Sequence, residues 1–357
     1  MLIYKTHRIE FNDFESMEVL FPDSTFFKGV KSFLKAWDNA QKEDFTFRTS
    51  GSTGRPKEIT HSRASIIKSV KKTRDYFDLK DGDAALLAMP VAFVAGRMMM
   101  ARALVLNLDL YLAEPSLNPL KEYDGQAFEF VPLTPLQLEH VLEHNPISIR
   151  GIKTILLGGA PVKDELMDRI QTLSNQVFIG YGMTETLTHI AARALNGPDA
   201  SELYTVLKGI KIDQKEGCLV INADHIEGLV YTNDLVEIVN PTQFKWIGRN
   251  DLIINSGGLK INPEELEKSL KLEFDFSCVF IGIPDQQLGE KLVLIIEENQ
   301  ANTTFDEVKV KRFIESGFSK YHVPKLVHVM NEIPMTPTGK TDRNKLRIYF
   351  EEISGTN

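Results

Sequence analysis

A run of hydroxyl-bearing residues and glycines near the N-terminus is the first place where this sequence could do chemistry. It reads TSGSTGRPK over residues 49–57. Gly51 and Gly54 add no side chain to a core, whereas hydroxyls, backbone N–H groups and Lys57 suit an anion with several oxygens. The spacing Gly-x-x-Gly-x-x-Lys differs from the G-x-x-x-x-G-K-[ST] loop of mononucleotide-binding proteins. The run predicts a phosphate-binding loop of another type, with a flexible polar loop as the alternative.

Three later segments carry residues of the same kind. GYGMTET follows an apolar run, so Tyr181 offers a ring face and Glu185 a carboxylate near a strand end, where ligands of open α/β sheets bind. Arg249 and Asp251 lie shortly before a Gly-Gly pair, and Lys340 follows a glycine in a proline-containing segment. A turn, a hinge with a surface ion pair or an exposed basic loop would explain each segment alone. Their order along one chain indicates a common site.

The composition favours a globular protein without general affinity for nucleic acid. The chain has 357 residues, of which 43% are hydrophobic and 25% charged, and its formal net charge is −8. It contains no apolar run of about 18 residues that could span a membrane, and its start lacks the apolar segment of a signal peptide. With only Cys218 and Cys278, we expect no disulfide framework, no zinc site and a location in the reducing cytoplasm.

Apolar runs that alternate with amphipathic stretches predict an α/β fold to position these residues. AALLAM, TILLGG and VFIGYG predict buried strands that end at glycine or proline. KDELMDRIQTLS, between the last two, predicts a helix with Leu166, Ile170 and Leu173 on one stripe. A strand, a helix and a strand in this order are typical of a sheet covered by helices.

The second half of the chain changes in texture. From about residue 203 to 247, short strands separated by turns predict a small β unit. Beyond Asp251, a helix that begins after Asn262 and Pro263, then two strands and a further helix, predict an α+β region. We therefore expect a large N-terminal α/β domain with a small β subdomain over residues 1–250. A smaller, mobile C-terminal α+β domain would span residues 251–357.

The motifs together resemble the adenylate-forming superfamily of acyl-CoA synthetases, amino-acid adenylation domains and beetle luciferase. TSGSTGRPK resembles its phosphate loop, GYGMTET its adenine and magnesium motif, YTNDL its usual TGDL, GRNDLIINSGG its hinge and PTGKTDR its catalytic-lysine loop. The resemblance extends from about Thr49 to Leu346. It implies that a carboxylate attacks the α-phosphate of ATP, giving an acyl adenylate and pyrophosphate, and that a thiol, usually coenzyme A, then displaces AMP.

The resemblance also implies a role for each site residue. The loop would hold the β- and γ-phosphates of ATP through Thr49, Ser50, Gly51, Ser52, Thr53, Gly54 and Lys57. The rest of the nucleotide would contact Gly158, Gly159, Ala160, Tyr181, Gly182, Asp234 and Arg249. Catalysis would depend on Thr184 at the α-phosphate, Glu185 as a ligand of Mg²⁺, and Lys340, where charge builds up in the transition state. The hinge and coenzyme A tunnel would comprise Asp251, Ser256, Gly257 and Gly258.

Within the superfamily, TILLGGAPVKDELM followed by GYGMTETLTHIA is most similar to the o-succinylbenzoate–CoA ligase subfamily of menaquinone biosynthesis. That aromatic acid has a second carboxylate, which needs a cationic partner in an otherwise apolar pocket. Arg97 and Arg102 are the cations of VAFVAGRMMMARALVL, about 140° apart on a helix; arginines that reach solvent are the alternative. We favour Arg102, whose place relative to Gly96 best matches the subfamily's substrate arginine, and expect Thr188 and His189 to add polar contacts.

The sequence departs from the family pattern at several points. Fewer residues precede the phosphate loop than in typical members, so we expect part of the N-terminal subdomain to be reduced or missing. Phe93 stands where the family has histidine, which puts a gating role of that histidine in doubt. Asn233 replaces the glycine before the ribose aspartate, and we expect it to fill the same left-handed turn. Trp246 is interpreted as a packing residue.

Other functions stay open at this point. They are another aryl- or fatty-acyl-CoA synthetase, a stand-alone adenylation enzyme serving a carrier protein, and a non-enzymatic binding protein on the same scaffold. Substrate charge discriminates against the first of these, since a fatty-acyl pocket has no use for a buried arginine. The expected partner is a small aromatic carboxylic acid, without nucleic acid or a membrane span, and a homodimer is a further expectation.

Overall fold

The computed structural model describes residues 1–48, 57–274, 276–298, 305–335 and 341–354. Within these residues the helices are α1 (Phe14–Leu20), α2 (Thr25–Asp38), α3 (Arg63–Phe77), α4 (Val94–Leu106), α5 (Pro135–His144), α6 (Asp164–Gln171), α7 (Pro263–Glu273), α8 (Glu307–Gly317) and α9 (Arg343–Ser354). The strands of the first half are β1 (Leu2–Tyr4), β2 (His7–Ile9), β3 (Asp44–Arg48), β4 (Glu58–Ser62), β5 (Ala84–Leu87), β6 (Asp109–Leu112), β7 (Phe128–Leu133), β8 (Ile152–Leu157), β9 (Gln176–Gly182) and β10 (His189–Ala194). Those of the second half are β11 (Tyr204–Val206), β12 (Ile210–Lys215), β13 (Cys218–Ala223), β14 (Leu229–Asn240), β15 (Gln243–Arg249), β16 (Ile254–Ser256), β17 (Leu259–Ile261), β18 (Cys278–Asp285), β19 (Gly289–Glu297) and β20 (Leu326–Met330).

The chain divides into two compact units. The first comprises Met1–Asp213, Val220–Tyr231 and Ile238–Lys245, and the second Gln214–Leu219, Thr232–Glu237 and Trp246–Asn357. Strands β12, β13, β14 and β15 therefore contribute residues to both units. A domain boundary between residues 250 and 251 stays a prediction.

A parallel sheet forms the centre of the first unit. Its strands follow the order β9-β8-β7-β5-β6-β1, each parallel to its neighbour. Antiparallel strands extend it, with β2 beside β1, and β10 and then β11 beyond β9. Helix α4 connects β5 to β6, α5 connects β7 to β8, and α6 connects β8 to β9. These crossovers allow neighbouring strands to run parallel. The carboxyl ends of β8 and β9 therefore lie at the same edge of the sheet, and the glycine motifs follow these ends.

Helices cover both faces of this sheet because successive side chains of a strand point to opposite faces. Leu87 and Leu156 belong to an apolar cluster that includes residues of α2, α3 and α4. Their neighbours Leu86 and Ile155 belong to a second cluster, which includes residues of α5 and α6. All four leucine and isoleucine side chains are at most 7% exposed. The predicted α/β class is thereby confirmed.

The second unit contains a smaller sheet with helices on both faces. Strands β17, β16, β19 and β18 follow one another, and β20 also pairs with β19. Leu294 lies in a cluster with residues of α7 and α8, whereas Val293 packs with Leu346 and Phe350 of α9. Helix α7 begins where the sequence predicts it, since Pro263 is its first residue and Asn262 accepts a hydrogen bond from the Glu264 N–H at 3.1 Å. This confirms the predicted α+β C-terminal region.

In the described part of the chain, no helix combines the length and apolar character needed to cross a membrane. Cys218 and Cys278 are both free thiols.

Candidate active site

The predicted phosphate loop connects two paired strands. β3 and β4 run antiparallel, and Arg48, the last residue of β3, pairs with Glu58, the first of β4. Arg48 Nε also donates to Glu58 Oε1 at 3.0 Å. The loop residues Thr49, Ser50, Gly51, Ser52, Thr53 and Gly54 lie outside the described residues, and their role stays a prediction. Lys57, at the end of the loop, is exposed.

The predicted adenine wall follows the carboxyl end of β8. Gly158 donates its backbone N–H to Leu133 O at 3.1 Å, which ties the segment to β7. A Cβ atom added to Gly158 or Gly159 would meet no atom within 4 Å, so both residues face open space. Gly159 has φ of 90°, a conformation that glycine adopts without strain. A flat ring could approach the backbone here, and Ala160 continues the same segment.

The GYGMTET motif spans the end of β9 and the turn that follows it. Tyr181 packs edge-to-face against Tyr204 and Phe244, with ring centroids 5.8 and 5.3 Å apart. A Cβ atom on Gly182 would lie 2.1 Å from Thr188 O, so only glycine fits this close backbone approach. A 3₁₀ turn then places Thr184 in a buried position and the Glu185 carboxylate half-buried at the sheet edge.

Two histidines that the sequence analysis missed support this turn. His61, at the end of the hairpin that carries the phosphate loop, places Nε2 2.9 Å from Thr184 O. His225 places Nε2 3.4 Å from Thr186 O. Because a carbonyl only accepts, Nε2 must carry the proton in both rings. Burial lowers the pKa of His61, and the bond to Thr184 offsets part of this effect. Only the long-range pairing reveals these residues, since neither lies in a segment with a predicted role at this turn.

Arg102, the favoured substrate arginine, is a buried cation on α4. The residue is 2% exposed, its Nη2 donates to Thr188 Oγ1 at 2.8 Å, and the guanidinium lies 6.0 Å from the Phe130 ring centroid. Arg102 Nε is buried without a hydrogen-bond partner, and among the described residues no carboxylate pairs with this side chain. Burial lowers the pKa of Arg102 to about 10. Among the described residues, the charge of this guanidinium therefore has no counter-charge.

Thr188 and His189, the two predicted polar neighbours, lie in the same cluster. Thr188 Oγ1 is 3.2 Å from His189 Nδ1, so the structure brings Arg102, Thr188 and His189 together. His189 is 8% exposed. Burial, and then the charge of Arg102, hold the pKa of His189 well below its ordinary value. The imidazole is therefore neutral.

Arg97 has different partners. Its Nε donates to Val91 O at 3.0 Å, its Nη1 donates to Thr46 O, and its guanidinium lies 5.8 Å from the Phe47 ring centroid. These contacts tie α4 to β3. Phe93, where the family has histidine, precedes the first residue of α4 and is 40% exposed.

The predicted ribose aspartate lies in the second unit. Asp234 is 6% exposed and accepts a hydrogen bond from Trp246 Nε1 at 3.2 Å, while Arg249 Nη1 lies 3.7 Å from its Oδ1. The interpretation of Trp246 as a packing residue missed this polar role. Asn233 lies within the extended strand β14, so the left-handed turn predicted for it is wrong.

The predicted hinge residue is held by an ion pair. Arg249 Nε and Nη2 donate to the two carboxylate oxygens of Asp251 at 2.8 and 2.6 Å. Burial acts to raise the pKa of Asp251, but the hydrogen bonds and charge of Arg249 outweigh it, and the pKa is lowered. The same bonds raise the pKa of Arg249. Arg249 also donates its backbone N–H to Glu264 at 2.9 Å, which connects this segment to α7.

The predicted tunnel glycines form the turn of the β16–β17 hairpin. Gly257 and Gly258 have φ of 61° and 82°, and the Gly257 N–H donates to Leu288 O at 2.8 Å. Ser256 is the last residue of β16 and pairs with Leu259. Two consecutive residues with positive φ explain the Gly-Gly pair.

Lys340 lies outside the described residues, but the segments around it are described. Met335 and Thr341 form an antiparallel bridge, and the Asp342 N–H donates to Pro334 O at 2.8 Å. Arg343 then makes a bidentate ion pair with Glu267 of α7, with N–O distances of 2.9 and 2.8 Å. The ends of the predicted lysine loop are thus joined to each other and to the core of the second unit.

Comparisons with known proteins agree with these motifs. The family model described as AMP-binding enzyme matches residues 29–219, and that of the AMP-binding enzyme C-terminal domain matches residues 276–340. The 2-succinylbenzoate–CoA ligase of Listeria monocytogenes serotype 4b is 28% identical over 345 residues, covering 88% of this chain and 72% of the relative. The ligase of the same name from Escherichia coli K12 is 28% identical over 293 residues, covering 77% and 62%.

Solved structures similar to this chain include AMP-forming ligases as well. An acyl-CoA synthetase (AMP-forming)/AMP-acid ligase II-like protein from Dyadobacter fermentans is 36% identical, with a TM-score of 0.63 and coverage of 94% of this chain and 97% of that one. The o-succinylbenzoate coenzyme A synthetase of Bacillus subtilis, in complex with ATP and magnesium, is similar in fold with a TM-score of 0.70 at 21% identity, covering 84% and 69%. The predicted superfamily is confirmed: this chain belongs to the AMP-binding enzyme family.

Proposed function

We propose that this protein is an AMP-forming acid–CoA ligase whose acid is o-succinylbenzoate. The enzyme would use ATP and Mg²⁺ to form the acyl adenylate at the succinyl carboxylate and then transfer the acyl group to coenzyme A. Its family and its relatives named 2-succinylbenzoate–CoA ligase support the reaction class. The observation that carries the choice of acid is the buried guanidinium of Arg102, which has no anionic partner among the described residues.

The environment of Arg102 matches the second carboxylate of this acid. The guanidinium lies against the apolar ring of Phe130, and its one hydrogen-bond partner is the neutral Thr188. A carboxylate would provide a counter-charge and an acceptor for the unpartnered Nε. The neutral tail of a fatty acid would leave the charge uncompensated, which is costly in an apolar site. An acid-binding site that includes Arg102 would therefore favour a dicarboxylic acid over a monocarboxylic one.

The nucleotide would be held by backbone groups together with polar and charged side chains. The phosphate loop of residues 49–57 would hold the β- and γ-phosphates, and the open surface at Gly158 and Gly159 fits the flat face of adenine. Asp234 would accept hydrogen bonds from the ribose hydroxyls, with Arg249 beside it. These assignments rest on the family resemblance together with the local geometry within each unit.

The catalytic groups would act on charge rather than through a covalent intermediate on the protein. Thr184 would contact the α-phosphate, and Lys340 would bridge it and the attacking carboxylate. The half-buried Glu185 fits a magnesium site, because Mg²⁺ is commonly bound by one or two carboxylates plus phosphate oxygens and water. Among the described residues there is no cluster of three or more potential metal ligands, and such a site does not need one. Bound Mg²⁺ would neutralise charge on the phosphates.

A comparison of two acids tests the proposal directly. We expect pyrophosphate release with o-succinylbenzoate, and sustained turnover when coenzyme A is added. The matched control is 4-oxo-4-phenylbutanoate, which lacks only the benzoate carboxylate. Loss of one charge-assisted hydrogen bond, about 1.5–3 kcal/mol, predicts a Michaelis constant about 10- to 150-fold higher for this control acid.

A clear preference for a neutral-tailed aryl or fatty acid would refute the choice of o-succinylbenzoate and favour another acyl-CoA synthetase. Turnover with a carrier protein but not with coenzyme A would favour a stand-alone adenylation enzyme. A cytoplasmic location and a homodimer are parts of the proposal that fractionation and light scattering can check.

A further inference from the structure

A row of hydrogen-bonding side chains extends from Arg102 into the core. Arg102 Nη2 is 2.8 Å from Thr188 Oγ1, which is 3.2 Å from His189 Nδ1. His189 Nε2 is 3.4 Å from Thr73 Oγ1, and Thr73 Oγ1 is 3.4 Å from Ser69 O on the preceding turn of α3. Two helices, α3 and α4, and the start of strand β10 thus contribute to a single row of polar groups. The row is closed to solvent at Thr73, which is 0% exposed.

The positions of the protons follow from the groups at the two ends of this row, the Arg102 guanidinium and the Ser69 carbonyl. Arginine only donates, so Thr188 Oγ1 accepts from Arg102, and the Ser69 carbonyl only accepts, so Thr73 can donate to it. The Thr188 hydroxyl then donates to His189 Nδ1, and the Nε2–H of His189 donates to Thr73. In this arrangement every hydroxyl and ring proton has an acceptor. If Nδ1 of His189 carried the proton instead, none of the described residues in contact with the Thr188 hydroxyl would accept its proton.

We propose that His189 is a positioning residue, which orients the Arg102 guanidinium through the Thr188 hydroxyl for the second carboxylate of the acid. This inference rests on the proposed function. By accepting at Nδ1, His189 fixes the hydroxyl of Thr188 so that its oxygen faces Nη2 of Arg102. The arginine is then anchored at Nη2, while its Nε is buried without a hydrogen-bond partner.

The surroundings of His189 fit a positioning role better than the direct substrate contact expected from the sequence. His189 is buried, and its ring packs edge-to-face against Phe77 at 5.8 Å. A Cβ atom on Gly180 would lie only 3.1 Å from His189 Cβ, so the neighbouring strand packs closely against it. Burial also lowers the pKa of His189, which keeps Nδ1 free to accept throughout the neutral range.

Two substitutions of His189 separate positioning from simple packing. In His189→Asn the amide oxygen can occupy the place of Nδ1, whereas in His189→Gln the amide reaches the place of Nε2 and the acceptor for Thr188 is lost. We expect His189→Gln to raise the Michaelis constant for o-succinylbenzoate about 2- to 10-fold, the effect of one neutral hydrogen bond. His189→Asn should raise it less, and neither should change the Michaelis constant for ATP.

Thermal stability should follow the opposite order. Asparagine leaves the larger cavity, so His189→Asn should melt at a lower temperature than His189→Gln. If the Michaelis constant instead follows stability, with asparagine the worse variant, His189 is a packing residue and the inference is overturned. A matched pair at the neighbouring position gives the same test without a large cavity: Thr188→Val removes the hydroxyl and Thr188→Ser keeps it. We expect the larger effect from Thr188→Val.

Arg102→Met, measured in parallel, distinguishes the failure of this inference from that of the proposed function. If Arg102→Met leaves the Michaelis constant for o-succinylbenzoate unchanged, the assignment of the acid fails and the inference fails with it. If Arg102→Met raises it while His189→Gln and Thr188→Val do not, only the positioning role is wrong. A rise in all three variants, with the conservative partners less affected, supports both.

Discussion

Replacing Arg102 by methionine should weaken substrate binding without lowering the stability of the protein. The guanidinium is 2% exposed, and its pKa is lowered to about 10 by burial alone. At about 1.4 kcal/mol per pKa unit, the site disfavours the charged form by about 3 kcal/mol. Methionine has a similar length and no charge. We therefore expect the free energy of unfolding in urea to stay the same or to rise by about 1–3 kcal/mol.

The same substitution removes the proposed partner of the second carboxylate. A charge-assisted hydrogen bond contributes about 1.5–3 kcal/mol, so the Michaelis constant for o-succinylbenzoate should rise about 10- to 150-fold. The Michaelis constant for ATP should not change. Steady-state assays of pyrophosphate release at saturating coenzyme A measure both constants on the protein used for the unfolding experiment.

Arg97→Met is the matched control on the same helix. Arg97 donates to the backbone carbonyls of Val91 and Thr46 and packs against Phe47, so its loss should lower the free energy of unfolding by about 1–2 kcal/mol. The Michaelis constant for the acid should not change in this variant. The reasoning is refuted if Arg102→Met destabilises the protein by more than about 1 kcal/mol while its Michaelis constant for o-succinylbenzoate stays at the wild-type value.

Four further changes test other parts of the structure. Lys340→Ala should slow adenylate formation about 10²–10³-fold, the effect of losing one transition-state donor. Thioester formation from preformed acyl adenylate should be much less affected. An equal decrease in the rates of both half-reactions would contradict this role. Asp251→Pro should slow thioester formation but not adenylation, because proline restricts φ at the predicted hinge. Wild-type rates in both half-reactions would show that the hinge assignment is wrong. Arg343→Met removes the ion-pair partner of the Glu267 carboxylate, whose side chain is 17% exposed, and should cost up to about 3 kcal/mol of stability, most of which the double variant with Glu267→Leu should restore. Burial lowers the pKa of His225 to about 4 in the folded protein, whereas an unfolded histidine binds a proton near pH 6.5. The free energy of unfolding should therefore fall by up to about 3 kcal/mol as the pH decreases from about 6.5 to 4. Urea titrations at pH 7, 5.5 and 4.5 should show a shallower decrease for His225→Gln.

Local patterns were sufficient to predict most elements around the site. The run TILLGG becomes β8, VFIGYG becomes β9, and the helix between them, α6, lies within the predicted stretch. Such runs are short, strongly apolar and bounded by glycine, so their structure depends little on distant residues. The prediction for Asn233 was wrong because the pairing of a long strand, β14, overrode the local preference of asparagine for a left-handed turn.

By itself, the sequence determined the α/β class, the order of the motifs and the family, because these depend on the period of apolar residues and on short spacings within one segment. Only the tertiary structure decided which arginine of α4 is buried without a counter-charge, since both lie in the same apolar run. It also revealed the hydrogen bonds of His61 to Thr184 and of Trp246 to Asp234, together with the link from Arg102 through Thr188. These contacts join residues that are 12 to 123 positions apart. Burial and hydrogen-bond geometry at such separations result from the packing of whole strands and helices, which no local pattern encodes.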